Sequence, residues 1–298
     1  MNNNTRDLTE MGPEGLDCPD GSEDFLVAPR DICDLCQGNS AAPVLELPPH
    51  RLVRCQRCGL IYVIPRPPLD DIIKIYDEAY FTGQGPAGYK PDENYLGDDS
   101  RLDLFIERML SIEHYRKPPG SMVDVGCASG FSLRAARERG WDCLGVDVSD
   151  FAVNFAREQY NLNVIRGTLR DATLPDESMD AVTMWDLIEH VPSPLQKCLE
   201  ASRILKPGGA LGLATPDADA PDPDPENRDP AKTAFWQADP GEHLQYFSPA
   251  TICRLLHETG FHVVSLTSFG IGDRRLGSME VYAIKTRRIP TPVQRAES

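Results

Sequence analysis

The sequence contains no run of about 18 apolar residues, which is the least that a membrane-spanning helix requires. It begins Met-Asn-Asn-Asn-Thr-Arg-Asp and lacks the apolar core of a secretory signal peptide. Cations are scarce as well, because 30 Lys and Arg residues face 46 acidic residues and the formal net charge is −16. Binding a phosphate backbone needs clustered cations, so this balance disfavours a nucleic acid partner. We therefore expect a soluble, cytoplasmic protein without a membrane partner.

The negative charge is concentrated in two segments. Residues 1–31 contain eight acidic and two basic residues, and residues 217–242 contain the same numbers, so each segment has a net charge of −6. Residues 1–30 lack hydrophobic periodicity, which predicts a disordered acidic arm. Residues 218–240 contain Pro-Asp repeats and are predicted to form an acidic insertion. The rest of the chain carries only about −4, which does not exclude an anionic small substrate.

Four of the nine cysteines occur as two closely spaced pairs. Their arrangement, C-x2-C-x18-C-x2-C, is typical of a zinc ribbon with four thiolate ligands. Four thiolates close a tetrahedral shell and leave no position for water, so such a zinc ion is structural. Chance pairing of buried cysteines is the alternative, and a redox dithiol would need only one pair. The predicted zinc ligands are Cys33, Cys36, Cys55 and Cys58.

Strands and helices alternate in the second half of the chain, which predicts an α/β fold with a doubly wound, mainly parallel sheet. Helices are expected at Ser132–Arg139, Phe151–Tyr160, Leu195–Leu205 and Pro249–Thr259, and Pro207-Gly208-Gly209 is expected to stop the third of them. We divide the chain into a small N-terminal zinc ribbon at 31–68, a helical lid or linker at 69–116, an α/β domain at 117–289 and a tail at 290–298. The predicted strands are Met122–Val125, Cys143–Val146, Asn163–Arg166, Ala181–Trp185, Ala210–Ala214, His262–Thr267 and Glu280–Thr286.

A glycine-containing loop follows the first of these strands. Gly126 and Gly130 allow the chain to turn sharply and let a ligand approach backbone N–H groups at a helix N-terminus. Two glycines alone would also suit an ordinary turn. However, the next strand ends at Asp147, 21 residues after Gly126, where a carboxylate would meet the hydroxyls of an adenosine ribose. The alternative for Asp147 is a turn or helix cap, but the two features together favour a nucleotide site.

The sequence resembles the class I S-adenosylmethionine-dependent methyltransferases over roughly Met122 to Lys285. The matching segments, in the family's order and spacing, are VDVGCASG, GVDVS, LPDESMDAVTMWDLIEHVPSP and RILKPGGALGLATP. The resemblance implies a Rossmann-like sheet whose last strand is antiparallel. One departure is Ala128, where the family often has glycine. A dinucleotide-dependent dehydrogenase is the weaker interpretation, because it would favour G-x-G-x-x-G and continued parallel strands.

The resemblance also implies a set of residues that bind S-adenosylmethionine. The methionine moiety would lie by Asp124 and Gly126, with Ser129 and Gly130 nearby. The ribose would be held by Asp147, and the adenine would pack on Val148 near Thr168 and Leu169. The methionyl end would be bordered by Trp185 and Asp186, although core packing explains Trp185 equally well. Glu189 and His190 match a family signature, in which His190 is more often structural than a base.

A narrower group within this family places the cysteine pairs ahead of the methyltransferase core. In that group the pairs are followed by a Pro-Arg-Pro segment, here Pro65–Pro67, and a Tyr-x-x-x-Tyr-Phe helix end, here Tyr76–Phe81. The group includes C-methyltransferases of nucleotide-linked keto-sugars, and the resemblance places Tyr80 in a lid over the cofactor.

Some members of this group carry a Glu-His pair followed by Tyr, which this chain has as Glu242, His243 and Tyr246. By resemblance His243 is the candidate base, with Glu242 orienting it or sharing its proton. The chain departs from the group just before the pair, where Pro240-Gly241 replaces an aromatic hydroxyl. The phrase HLQYFSP also occurs in methyltransferases of varied substrate, so His243 as a loop anchor is the alternative.

These observations predict an S-adenosylmethionine-dependent methyltransferase that acts on a small molecule, a sugar derivative or a secondary metabolite, by C- or O-methylation. One alternative is a protein or RNA methyltransferase that docks through a cationic face of the ribbon. The other is a non-catalytic scaffold that binds the cofactor. The acceptor, the methylated atom and the oligomeric state stay open. The candidate cationic face consists of Arg51, Arg54, Arg57 and Arg66.

Overall fold

The computed structural model describes residues 32–84, 96, 100–226, 235, 237–270, 273 and 275–286. The predicted acidic arm and the tail lie outside the described residues, as does part of the acidic insertion. Across the described ranges, no helix is long and apolar enough to cross a membrane.

The described chain contains eleven strands and seven helices. The strands are β1 (Ala41–Leu47), β2 (His50–Cys55), β3 (Ile61–Ile64), β4 (Ser121–Val125), β5 (Asp142–Asp147), β6 (Val164–Arg166), β7 (Met179–Trp185), β8 (Leu205–Pro216), β9 (Gln245–Tyr246), β10 (Phe261–Ser268) and β11 (Ser278–Lys285). The helices are α1 (Leu69–Ile73), α2 (Glu78–Thr82), α3 (Ser100–Glu113), α4 (Phe131–Glu138), α5 (Asp150–Tyr160), α6 (Pro194–Ile204) and α7 (Pro249–Glu258).

The larger sheet has seven strands in the order β10-β11-β8-β7-β4-β5-β6. The pairs from β8 to β6 are parallel, whereas β11 runs antiparallel to both β8 and β10. The predicted Rossmann-like α/β fold with an antiparallel last strand is therefore confirmed. The strand order reverses at β4, whose neighbours are β5 and β7, and such a reversal opens a crevice at the carboxyl ends of the strands.

Local sequence signals explain where the helices begin and end. The Ser149 hydroxyl accepts the N–H of Ala152 at the start of α5, and Asn161 ends that helix in the left-handed region at φ 49°. Ser248 and Thr251 form a reciprocal capping box at the start of α7. These caps satisfy N–H groups that the first turn of a helix leaves without a partner.

The strand β8 is longer than the sequence predicts. The helix α6 ends at Ile204, three residues before the Pro-Gly-Gly segment. That segment lies within β8, which begins at Leu205 instead of Ala210. The register against β7 shifts between Met179 and Ala181, so the extra residues form an irregularity at the strand's start.

The smaller sheet joins the N-terminal ribbon to the α/β domain. Its antiparallel order is β1-β2-β3-β9, so its last strand comes from residues near the end of the chain. Tyr62 pairs with Gln245, and the N–H of Val63 donates to the Leu244 carbonyl at 3.0 Å. Buried ribbon residues such as Leu60 belong to the same hydrophobic cluster as Leu255 on α7. The division of the chain into domains stays a prediction, but the ribbon and the domain share a sheet and a core.

Candidate cofactor and active site

The loop between β4 and α4 is shaped for close approach of a ligand. Gly126 has φ +71°, and a Cβ there would lie 2.9 Å from Leu187 Cδ1. Gly130 has φ +91° and is the N-cap of α4. Ala128 adopts φ 45°, so the alanine takes a left-handed conformation that glycine adopts at lower cost. The loop thus needs the small residues that the sequence provides.

Asp147 ends β5 directly beside this loop. Its Oδ2 accepts the N–H of Ala128 at 2.8 Å, and its Oδ1 accepts the N–H of Ser149 at 2.8 Å. Burial raises the pKa of this carboxyl, and the backbone N–H donors oppose that effect. The carboxylate lines the cleft that extends from this loop to α1, α2 and α3, which we call the central cleft. The backbone therefore holds this carboxylate in a fixed position in the cleft lining.

Asp124 lies under the loop in β4 and is 2% exposed. Its Oδ1 accepts the Thr183 hydroxyl at 2.6 Å. Burial raises the pKa of Asp124 to about 7, although hydrogen bonds from Thr183 and Ser132 oppose the shift. The side chain supports the floor of the cleft.

A buried arginine that sequence reasoning missed lies at the same end of the cleft. Arg108 on α3 is 4% exposed, and its Nε donates to Glu280 Oε1 at 2.9 Å. Its guanidinium lies 4.7 Å from the Trp185 ring centroid and 3.6 Å from Asp186 Oδ2. A signal existed in the sequence, because Arg108 falls at helical spacing within the apolar face that includes Phe105 and other core residues.

Aromatic and imidazole rings form a further part of the cleft lining. The rings of Tyr76 and Tyr80 lie 5.0 Å apart, Tyr76 lies 6.1 Å from His190, and His190 lies 4.7 Å from His243. The Tyr80 hydroxyl donates to Glu242 Oε2 at 3.5 Å. We call these five residues the aromatic wall. Tyr76, Tyr80 and His190 line the central cleft, whereas His243 packs beside His190.

His190 is held as a neutral imidazole. Burial, followed by the nearby His243, lowers the pKa of His190 to about 3. The His190 Nδ1 lies 3.0 Å from the Glu242 carbonyl oxygen, so Nδ1 is the donor and Nε2 carries the lone pair. This Nε2 is 3.9 Å from Glu189 Oε1.

Glu189, His190 and His243 each offer a ligand atom within 4.8 Å of the others. These three residues are therefore a second group of potential metal ligands, apart from the cysteines.

The remaining predicted residues lie in several environments. Leu169 is 1% exposed within the hydrophobic core, and Ser129 is fully buried with a hydroxyl that has no partner in the described part of the chain. Tyr246 is 2% exposed, and its hydroxyl accepts the Asp239 N–H at 2.8 Å. The predicted cofactor residues that line the central cleft are Tyr80, Asp124, Gly126, Asp147, Val148, Thr168, Trp185 and Asp186.

The four paired cysteines converge in the ribbon. Cys33 Sγ lies 3.5 Å from Cys58 Sγ, and Cys36 Sγ lies 3.5 Å from Cys55 Sγ. Four sulfurs at 2.3 Å from a tetrahedral zinc ion would be separated by about 3.8 Å, so the donor set fits that ion.

The ribbon offers a weaker cationic face than the sequence suggested. Arg51, Arg54 and Arg57 are exposed. Arg66 is only 3% exposed, donates to the Ile32 carbonyl at 3.0 Å and packs on the Tyr62 ring. The structure therefore removes Arg66 from the face that a nucleic acid or protein could contact.

Fold and site together define an α/β protein with a nucleotide-type cleft at the reversal of its sheet. The chain belongs to the family of methyltransferase domains, which matches residues 97–266. Family membership thus agrees with the resemblance that the sequence motifs indicated.

Two curated relatives and one solved structure illustrate the similarity. A Mycolicibacterium smegmatis protein, named a probable S-adenosylmethionine-dependent methyltransferase, is 27% identical over 61% of this chain and 65% of its own. A ubiquinone biosynthesis O-methyltransferase of Hahella chejuensis is 28% identical over 49% of this chain and 61% of its own. The chain thus spans less than two thirds of these relatives' length. An S-adenosylmethionine-dependent methyltransferase from Mesorhizobium loti shares the fold, with a TM-score of 0.50, 23% identity and coverage of 61% and 99%.

Proposed function

We propose that the protein is a cytoplasmic S-adenosylmethionine-dependent methyltransferase with a small-molecule acceptor. The observation that carries the proposal is one continuous cleft lined both by the carboxylate of Asp147 and by Tyr76, Tyr80 and His190 of the aromatic wall. Methyl transfer is an in-line displacement, in which the bound cofactor supplies the activated methyl group and the protein supplies alignment and exclusion of water.

The chain's own residues fit the cofactor in several ways. Asp147 accepts the ribose hydroxyls, while Val148 and Thr168 border the adenine. The loop from Gly126 through Ser129 to Gly130 lets the cofactor approach the backbone closely, and Asp124, Leu169 and Trp185 support the pocket from beneath. Asp186 borders the methionyl end, and Tyr80 covers the cleft. We add Arg108, whose buried guanidinium offers a charged fork to the methionyl carboxylate of the cofactor.

The aromatic wall supplies the groups for proton removal. In our proposal an O–H or acidic C–H of the acceptor gives its proton to His243, and the electron pair left behind would form the new bond to the methyl carbon while the sulfur–methyl bond of the cofactor breaks and returns its electron pair to sulfur. Glu242 orients this histidine, and neutral His190, which lines the cleft, packs against its ring. The buried hydroxyl of Tyr246 supports a structural role for that residue, because it anchors the turn at Asp239.

For the acceptor we propose a sugar derivative or a secondary metabolite. The proposal is supported by the Glu242-His243 pair beside the cleft and by the cysteine cluster ahead of the methyltransferase domain. We further propose that the four cysteines bind one structural zinc ion. A protein or RNA acceptor is less favoured, because only three of the four candidate arginines of the ribbon are exposed.

Two measurements test this function. Calorimetry should show that the wild type binds S-adenosylmethionine. For Asp147→Ala the dissociation constant should be at least tenfold larger, since a charged hydrogen bond is lost. Asp150→Ala, which removes an exposed carboxylate three residues away, is the matched control and should bind normally.

The second measurement is transfer of a labelled methyl group to a panel of nucleotide-linked keto-sugars and phenolic metabolites. His243→Ala should lose at least 100-fold in turnover while it binds the cofactor normally. Tight cofactor binding without transfer to any fraction of a metabolite extract would favour the scaffold, and a wild-type rate in His243→Ala would remove that residue from the mechanism.

A further inference from the structure

A carboxylate of the ribbon completes a helix that borders the cleft. Asp34 lies between Cys33 and Cys36 and is only 1% exposed. Its Oδ1 accepts the Ser193 hydroxyl at 2.8 Å, and its Oδ2 accepts the N–H of Leu195 at 2.9 Å. These groups form the first turn of α6, where N–H groups lack partners within the helix and negative charge is favoured.

The helix end that Asp34 holds is part of the cleft. His190 and Ser193 line the cleft, as does Gln196 in the first turn of α6. The Ser193 hydroxyl also accepts the N–H of Gln196 at 3.3 Å as the N-cap of that helix. Only two residues separate His190 from Ser193 along the chain. A shift of the α6 N-terminus therefore moves one end of the segment that carries His190.

The ribbon holds the other histidine through backbone pairing. Leu244 follows His243 directly, and its carbonyl accepts the N–H of Val63 in β3 at 3.0 Å. The N–H of Leu244 donates to the Glu189 carbonyl at 2.8 Å, next to His190. Both histidine segments are therefore attached to each other and to the ribbon within a few residues of the imidazoles.

We propose that Asp34 is a positioning residue through which the ribbon sets the place of His190 and His243 in the aromatic wall. The turn between Cys33 and Cys36, held by the proposed metal ion, fixes Asp34, and Asp34 fixes the start of α6. Independently, β3 pairs with the strand that follows His243 and fixes its position. Within the described residues, the Gly126–Gly130 loop has no hydrogen bond to the ribbon, and we therefore expect cofactor binding to change little when this link is broken. The catalytic consequence rests on the proposed function, but the structural coupling does not.

Hydrogen exchange of the full-length protein tests the coupling without any acceptor. Asp34→Ala should speed amide exchange in residues 189–197 and 243–246 at least about tenfold, since it removes two hydrogen bonds to a charged group. Exchange in residues 121–131 and the calorimetric affinity for S-adenosylmethionine should change less than twofold. Removing metal with a chelator should give the same pattern.

Two further variants keep the test decisive. Asp34→Asn keeps the shape and one acceptor oxygen, so it should fold and show an intermediate exchange rate. Ser248→Ala removes the cap of α7 instead, and it should lower stability without faster exchange in residues 189–197. Once an acceptor is found, Asp34→Asn should lower kcat and leave the Michaelis constant for the cofactor unchanged.

Faster exchange confined to residues 32–64 would overturn the proposal, and so would equal loosening of residues 121–131. If the wild type failed to bind S-adenosylmethionine, the proposed function would be contradicted. The exchange pattern would still test the coupling, because that measurement needs no ligand.

Discussion

Glu189 shows how one buried side chain makes stability depend on pH. It is 2% exposed, and burial, followed by the charge of Asp186, raises its pKa from 4.5 to about 8. A carboxyl whose pKa is raised by folding favours the native state while it is protonated. Its contribution is therefore fully favourable below the unfolded pKa and is lost as pH rises through about 8.

We expect Glu189→Gln to remove this pH dependence of stability. Because the amide stays neutral, the variant should melt above the wild type at pH 8.5 by roughly 5 °C, and the difference should shrink steadily toward pH 5.5. The backbone carbonyl that accepts Leu244 is unchanged in the variant. Glu138→Gln, on the exposed side of α4, is the matched control and should follow the wild type at every pH. A constant offset between Glu189→Gln and the wild type across this range would contradict the assignment.

At the scale of elements, α3 is attached to the sheet by Arg108. The guanidinium lies between the Trp185 ring of β7 and Glu280 of β11. Removing one partner of such a buried pair is costly, so the charge must be kept when its role is tested. Arginine and lysine differ here, since only the guanidinium offers a planar fork to a carboxylate.

Arg108→Lys should therefore weaken binding of S-adenosylmethionine by about tenfold or more. Its affinity for 5′-methylthioadenosine, which shares the adenosine and the sulfur but lacks the carboxylate, should stay within twofold. Arg116→Lys, just beyond the end of α3, is the matched control and should affect neither ligand. An equal loss for both ligands would mean that Arg108 acts on the fold alone.

The elements also show what could be predicted from the sequence. Local periodicity and caps place the helices from α4 to α7 within a residue or two, because those signals lie inside each element. The two-residue strand β9 could not be found, since its partner Tyr62 lies far away in the chain and two residues carry no period. Arg108 and Asp34 were missed for a related reason: a charged residue that is paired by folding looks like a surface residue in the sequence.

At the scale of the molecule, the ribbon is built into the larger domain. Its strands β1 to β3 have four to seven residues each, too little to form a stable unit without another source of stability. Part of that stability comes from β9 and the shared core. We propose a metal ion as the other part, because four thiolates around one ion would link the first turn of the ribbon to the end of β2.

Metal removal tests this in the whole protein. Purified protein should contain about one zinc ion per chain, and a chelator should lower the melting temperature by at least about 5 °C, with a change in the far-UV signal as the smaller sheet loosens. Cys55→Ser should lose the metal and melt early without a chelator. Cys253→Ser, at a half-buried cysteine of α7 outside the cluster, should keep both the metal and the wild-type melting temperature. If the chelator removed the metal but left the melting temperature and the far-UV signal unchanged, packing against β9 and α7 alone would hold the ribbon.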